Sequence, residues 1–132
     1  MHKALLIGVV SFCIAAGASA AASCPVGLKS MSEAELFFGR GGVSAVTNND
    51  WQQFLSKEIT PRFPDGLTVE DGAGQWRNAN GAIICEASKH LIIVLPGAPD
   101  DAAKLAAIRK AYKQRFRQES VMLLEHEVCG SF

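Results

Sequence analysis

The side chains with the widest chemical reach in this 132-residue chain crowd into one stretch: Asp71, Gln75, Arg77, Glu86, Ser88 and His90. Carboxylates, an imidazole, an amide and a hydroxyl on one surface can bind a polar ligand or move a proton. The spacing predicts two strands, 67–77 and 82–95, joined at Asn80-Gly81, a dipeptide suited to the left-handed backbone of a hairpin turn. With Ala79 facing Ala82, Gln75 falls opposite Glu86, Ala73 opposite Ser88 and Asp71 opposite His90. Because side chains alternate along a strand, one face gathers the six polar residues. The other carries Trp76, Ile83, Cys85, Ala87, Lys89 and Leu91, with Gly72 and Gly74. The polar set is expected to look outward from a half-open antiparallel sheet, and the apolar set to lie under helices. A bulge at either glycine would shift this parity.

Other chemistries find less support. Outside residues 1–20 the only histidines are His90 and His126, and neither forms a His-x-x-x-His spacing; no Cys-x-x-Cys occurs either. No metal is therefore expected. There is no Gly-x-Ser-x-Gly, and Cys85 has no basic neighbour in sequence to activate it. Gly39-Arg40-Gly41-Gly42 precedes no Lys-Ser/Thr, so it is not read as a phosphate loop. No cofactor is expected. A formal net charge of zero weighs against nucleic acid, which selects a basic excess. Arg109, Lys113 and Arg117 recur at four-residue spacing; near a helix C-terminus they complement its dipole and read as a solvated face.

The chain opens on Met1-His2-Lys3, an uncharged apolar run over 4–16 and a small-x-small Ala18-Ser19-Ala20. This is the form of a cleaved export signal. The run is shorter than the ~20 apolar residues a membrane span requires. The expected organisation is a signal peptide (1–20), an extended leader (21–32) and one domain (33–132), acting in the periplasm or outside the cell, with no transmembrane segment in the mature chain. Cys13 leaves with the signal, so Cys24, Cys85 and Cys129 remain. Cys24 and Cys129 flank the domain and are expected to form a disulfide, with Cys85 a packed, unreactive thiol. The alternative is a lipid-modified Cys24, although Ala21 stands where such sites usually carry Leu.

These residues need a scaffold. Glu35–Gly39 reads as a short central strand. Thr47-Asn48-Asn49-Asp50 offers N-caps for a helix whose stripe is Trp51, Phe54, Leu55 and Ile59, stopped by Pro61. Phe63-Pro64-Asp65-Gly66 is a turn. Asp100 is expected to cap a second helix with stripe Leu105, Ile108, Tyr112 and Phe116, and 120–128 forms a last strand. The order implies an α+β, ferredoxin-like split βαββαβ sandwich: a four-stranded antiparallel sheet with two helices on one face. Its first and last strands are adjacent, which would bring Cys24 to Cys129. Apolar positions on the open face, Ile84, Ile92 and Val94, raise the prospect of a homodimer formed through it.

Thr60-Pro61-Arg62-Phe63-Pro64-Asp65-Gly66-Leu67-Thr68-Val69, Asp71-Gly72-x-Gly74-Gln75-Trp76-Arg77 and Glu86-x-Ser88-Lys89 together resemble the signature of a family of small exported bacterial proteins known only as a domain of unknown function. Glu35-Leu36-Phe37-Phe38-Gly39, the 112–121 segment and both ends also resemble it. The resemblance implies fold and export but no activity, and it singles out Arg62, Asp65, Gln75, Trp76, Glu86, Ser88 and Lys89. Trp76 is expected to pack. Lys89 lands on the covered face, so it is expected either to reach water near a strand end or to report a parity reset at the glycines. The candidate ligand-binding set is thus Arg62, Asp71, Gln75, Arg77, Glu86, Ser88 and His90. The function expected is a ligand-binding or interaction module. The alternative is a small cofactor-independent enzyme working through Glu86, Gln75 and Arg62.

Overall fold

A computed structural model describes residues 23–42 and 45–132. The export signal expected at 1–20 lies outside the described residues. Within them the elements run β1 (Lys29–Gly39), α1 (Asn48–Phe54), β2 (Thr68–Arg77), β3 (Ile83–Leu95), α2 (Asp101–Phe116) and β4 (Met122–Gly130). The strands form one sheet in the order β2-β3-β1-β4, with every neighbouring pair antiparallel. The α+β architecture expected from the sequence, a four-stranded antiparallel sheet with two helices, is the one the chain adopts.

One face of the sheet is apolar and covered. Ala34, Leu36 and Phe38 of β1 and Leu91 and Ile93 of β3 are buried against Trp51 and Phe54 of α1 and Leu105, Ile108 and Tyr112 of α2. Phe38, Trp51, Phe54 and Tyr112 meet mostly edge to face, with centroids 4.7–6.2 Å apart, an arrangement favoured by the ring quadrupole. Tyr112 turns its hydroxyl to the Gly39 carbonyl at 2.8 Å. Its burial pushes the phenol pKa up, so it stays a donor.

Helix α1 begins on a capping box, in which Thr47 Oγ1 accepts from the Asp50 N–H and Asp50 Oδ2 accepts from the Thr47 N–H. It continues as a π-turn over Leu55–Ile59, closed by the Thr60 N–H on the Leu55 carbonyl, and halts at Pro61. Helix α2 starts where expected, but the Asp100 side chain makes no capping bond. Asp101 supplies the local acceptor instead, taking the Ala98 N–H at 2.8 Å. The helix ends at Arg117 in the left-handed conformation, φ 52°.

Strand β1 is longer than its apolar centre suggested. Its polar first half, Lys29–Glu33, pairs with β4 from Gly130 to His126. A disulfide joins Cys24 to Cys129, 105 residues apart, at that shared end. Cys85, by contrast, is exposed rather than packed. The pairing of β1 with β3 ends at Gly39–Ser88, so the outer part of the β2–β3 hairpin runs on past the helix layer and its covered-face positions meet water.

Candidate functional site

The hairpin register differs by one residue from the sequence expectation, and this rearranges the candidate residues. Gly74 lies opposite Glu86, Gln75 opposite Cys85, Trp76 opposite Ile84 and Asp71 opposite Lys89. The cause is the turn. Asn78 pairs with Ala82, Gly81 takes φ 81°, and the Asn78 side-chain oxygen accepts from the Asn80 and Ala82 N–H groups, both at 3.0 Å. Three residues, not two, lie in the loop, and an odd loop exchanges the faces of one strand relative to its partner. Neither glycine forms a bulge.

Of the seven candidate residues, Glu86, Ser88 and His90 therefore share the open face. Asp71, Gln75 and Arg77 do not join them; they project on the helix side of the sheet, where the overhanging hairpin leaves them exposed. Gln75 still contributes to the rim of the cleft described below. Arg62 stands apart, in the turn after α1, and gives Nη1 to the Glu58 carbonyl (2.5 Å) and carboxylate (3.0 Å). Lys89 neither reaches water at a strand end nor marks a parity reset. It is buried on the covered face and meets the Asp71 carboxylate across the strand pair at 2.5 Å. The Lys89 ammonium holds the Asp71 carboxyl below the usual carboxylate range.

Glu86 is the best-held of the open-face residues. Its Oε1 accepts from the Trp76 indole N–H at 2.7 Å and its Oε2 from the Gly41 N–H at 2.5 Å. Trp76, expected only to pack, thus has a polar role that the corrected register makes possible. The carboxylate lies so close to β1 and its following loop that a Cβ at Gly39 would stand 2.5 Å from Oε1, and one at Gly41 2.6 Å from Oε2. The Gly-Arg-Gly-Gly segment is thus a carboxylate cradle. Gln118, just past the end of α2, donates to the Gly41 carbonyl at 2.7 Å and fixes the loop from the other side. These atoms bound a cleft of about 340 Å³ lined by Phe37, Trp76, Glu86, Ser88, Gln118 and Met122, among others. Gln118 falls in the 112–121 segment that resembles the family, but its role was not legible there, because its partner lies 77 residues away.

Farther along the open face the four strands contribute a row of acids and imidazoles. His90 stacks on Phe37, with centroids 4.3 Å apart and planes 11° from parallel. Its Nε2 lies 2.7 Å from Glu35 Oε2 and its Nδ1 3.4 Å from Glu70. His126 lies 3.1 Å from Glu33 and 3.8 Å from Glu35. Linear spacing showed none of this, since the residues meet only across strands.

A larger hollow of about 800 Å³ lies at the opposite end, between Pro61–Gly66, the start of β1, the end of β3 and Phe132. Arg62 and Lys104 are committed locally, to Glu58 and Asp100 at 3.0 Å, while Lys29 and Asp65 also line the hollow. Among the described residues none of these side chains is held by hydrogen bonds from two separate segments, as Glu86 is in the smaller cleft.

A four-stranded α+β sandwich with an anchored carboxylate on its open face defines a class of small domain rather than an activity. The chain belongs to the family described as "Protein of unknown function (DUF3574)", which matches residues 33–132. No curated protein matches it. Among solved structures it is similar to a phage SAM lyase in complex with S-methyl-5'-thioadenosine (20% identity, 86% of this chain and 97% of that one, TM-score 0.60). The apo state of a phage SAM lyase is similar too (21% identity, 77% and 86%, TM-score 0.59). So is CutA from Synechococcus elongatus complexed with Bis-Tris (11% identity, 79% and 87%, TM-score 0.50). At these identities the likeness is one of fold.

Proposed function

We propose that this protein is an exported small-molecule-binding module whose ligand sits in the Glu86 cleft. The observation that carries the reading is the double anchoring of one carboxylate by groups from two separate segments, with two glycines kept clear of it. A carboxylate oxygen accepts about two hydrogen bonds. Each Glu86 oxygen has one protein donor, which leaves capacity toward the cleft. The ligand class that fits is compact and rich in N–H or O–H donors, with an apolar portion to lie against Phe37 and Trp76. Export is supported by the N-terminal signal pattern and by the Cys24–Cys129 disulfide, a bond that persists in oxidising compartments.

The test uses two probes, S-methyl-5'-thioadenosine and Bis-Tris, the molecules held by two of the fold's relatives, alongside native mass spectrometry of the purified protein for retained compounds. A Cβ at Gly74 would meet nothing within 4 Å, so Gly74→Leu introduces an apolar side chain into the cleft from a position with room for its Cβ. Binding seen in the wild type and lost in Gly74→Leu at unchanged Tm supports the reading. A bare protein mass, together with no response of the Trp76 indole resonance to either probe, counts against it. Intact mass of the exported chain locates the cleavage site and distinguishes a disulfide from a lipid at Cys24.

An enzyme remains the second reading, favoured only by the open lone pairs of Glu86 facing the cleft. It no longer includes Gln75 and Arg62 as partners, since neither side chain reaches Glu86. Self-association through the open face is supported by Met122 and Leu124, which are half exposed there. Light scattering distinguishes a monomer from a dimer.

A further inference from the structure

The Glu86 cleft leaves the other end of the open face unexplained, and the chemistry there is of a different kind. Glu33 and Glu35 sit two apart on β1 and so project together. His126 of β4 stands directly opposite Glu33. One ligand atom from each of the three lies within 4.8 Å of the others. Two donors at about 2.1 Å from one tetrahedral ion stand roughly 3.4 Å apart, and the His126 Nε2 to Glu33 Oε1 distance is 3.1 Å. Among the described residues no Lys or Arg lies within 4 Å of either glutamate; their ionic partners are His126 and His90 alone. Two half-buried carboxylates on adjacent open-face positions, faced only by imidazoles, lack the permanent cation that such a pair calls for.

We propose that Glu33, Glu35 and His126 bind a divalent first-row transition metal, with zinc the ion best matched to one imidazole and two carboxylates. The site is supported from behind. His90 Nε2 holds Glu35 Oε2 at 2.7 Å, which leaves Glu35 Oε1 on the side of His126. His90 is itself fixed by the Phe37 ring and by Glu70. Ligating carboxylates in metal centres are themselves held by outer hydrogen bonds, the part His90 plays here. Three protein donors leave one position of a tetrahedral ion for water or an exogenous anion. Glu86 lies four residues from His90 along β3, on the order of 13 Å, so the ion is separate from the cleft and this inference does not rest on the proposed ligand.

The test is calorimetric titration of the purified, chelator-treated protein with Zn²⁺, and with Co²⁺ for its visible absorption. It is done in a Cys85→Ser background so that the exposed thiol cannot compete. One ion per chain is expected, with a cobalt spectrum of a nitrogen–oxygen site. Glu33→Gln and His126→Ala should each weaken binding at least ten-fold. His90→Gln, which removes only the positioning contact, should weaken it by roughly 10–100-fold while retaining the stoichiometry. Glu127→Gln, on the other face of β4, should bind as the parent does. Circular dichroism checks that each variant is folded, and Glu35→Gln replaces any that is not. Absence of binding, or binding that survives both Glu33→Gln and His126→Ala, overturns the proposal.

Discussion

Replacing Gly39 by Ala tests the carboxylate cradle. The added methyl carbon would stand 2.5 Å from Glu86 Oε1, closer than real contacts allow, so the Glu86 side chain must swing away. It then loses the Trp76 indole and the Gly41 N–H. Hydrogen bonds to a charged acceptor contribute about 1.5–3 kcal/mol each when fully buried. Glu86 is only partly buried and water replaces its partners, so about 1 kcal/mol each is the better figure. Gly→Ala also stiffens the unfolded chain, which returns about 0.4–1 kcal/mol. The net cost is about 1–2 kcal/mol, or a Tm lower by roughly 5–15 °C for a domain of this size. In a Glu86→Ala background no carboxylate remains to be displaced. There Gly39→Ala should be neutral or slightly stabilising; the unfolded-chain effect is common to both backgrounds and cancels, so the coupling in a double-mutant cycle is about 2 kcal/mol. Urea unfolding of the four proteins measures it. If Gly39→Ala costs the same in both backgrounds to within about 0.3 kcal/mol, the glycine is not there for Glu86 and the cradle argument fails.

Three further outcomes follow from the same geometry. Cys129→Ser opens a link across 105 residues and should cost about 2–5 kcal/mol, read by thermal unfolding with and without reductant; an unchanged Tm would mean that the termini are held by strand pairing alone. Tyr112→Phe removes the bond to the Gly39 carbonyl and should cost about 1 kcal/mol, whereas Tyr112→Ala empties the aromatic core and should cost about 3–5 kcal/mol. Asp71→Asn should lower the urea midpoint at neutral pH, because buried Lys89 then lacks its charged partner. The Asp71 carboxyl is held below its ordinary value by that ammonium, so its contribution is present above about pH 4 and is lost as pH falls through the depressed folded value. The gap between wild type and Asp71→Asn should close in acid, and a gap that stays constant down to pH 2 would refute the pairing.

The helices were legible because their signals are local: the cap candidates at 47–50, Pro61, and the stripes at helical spacing. The ends of α2 were not, since Asp100 makes no capping bond and Arg117 closes the helix in the left-handed conformation. The sheet was legible as an order of elements, and its first and last strands were identified as neighbours. The hairpin faces were not. Asn80-Gly81 fits a two-residue or a three-residue loop, and alternation along a strand cannot choose between them. The deciding residue was Asn78, whose amide oxygen accepts two loop N–H groups, a habit of Asn at the start of turns. Read that way, it would have placed Trp76 beside Glu86. Cys85 was taken for a core thiol because its parity was covered, but the helices do not extend over that part of the hairpin. Glu33 and His126 are 93 positions apart in the chain, so only strand pairing brings them together.

Every placement on the open face depends on which residue of β2 faces Glu86. Cross-strand backbone proton contacts in a heteronuclear NMR spectrum read this directly. The expected contacts pair Gly74 with Glu86 and Asp71 with Lys89, and the Trp76 indole N–H should be slow to exchange in the wild type and fast in Glu86→Ala. Contacts pairing Gln75 with Glu86 and Asp71 with His90 would contradict this register, return Trp76 to the covered face and dissolve the cleft.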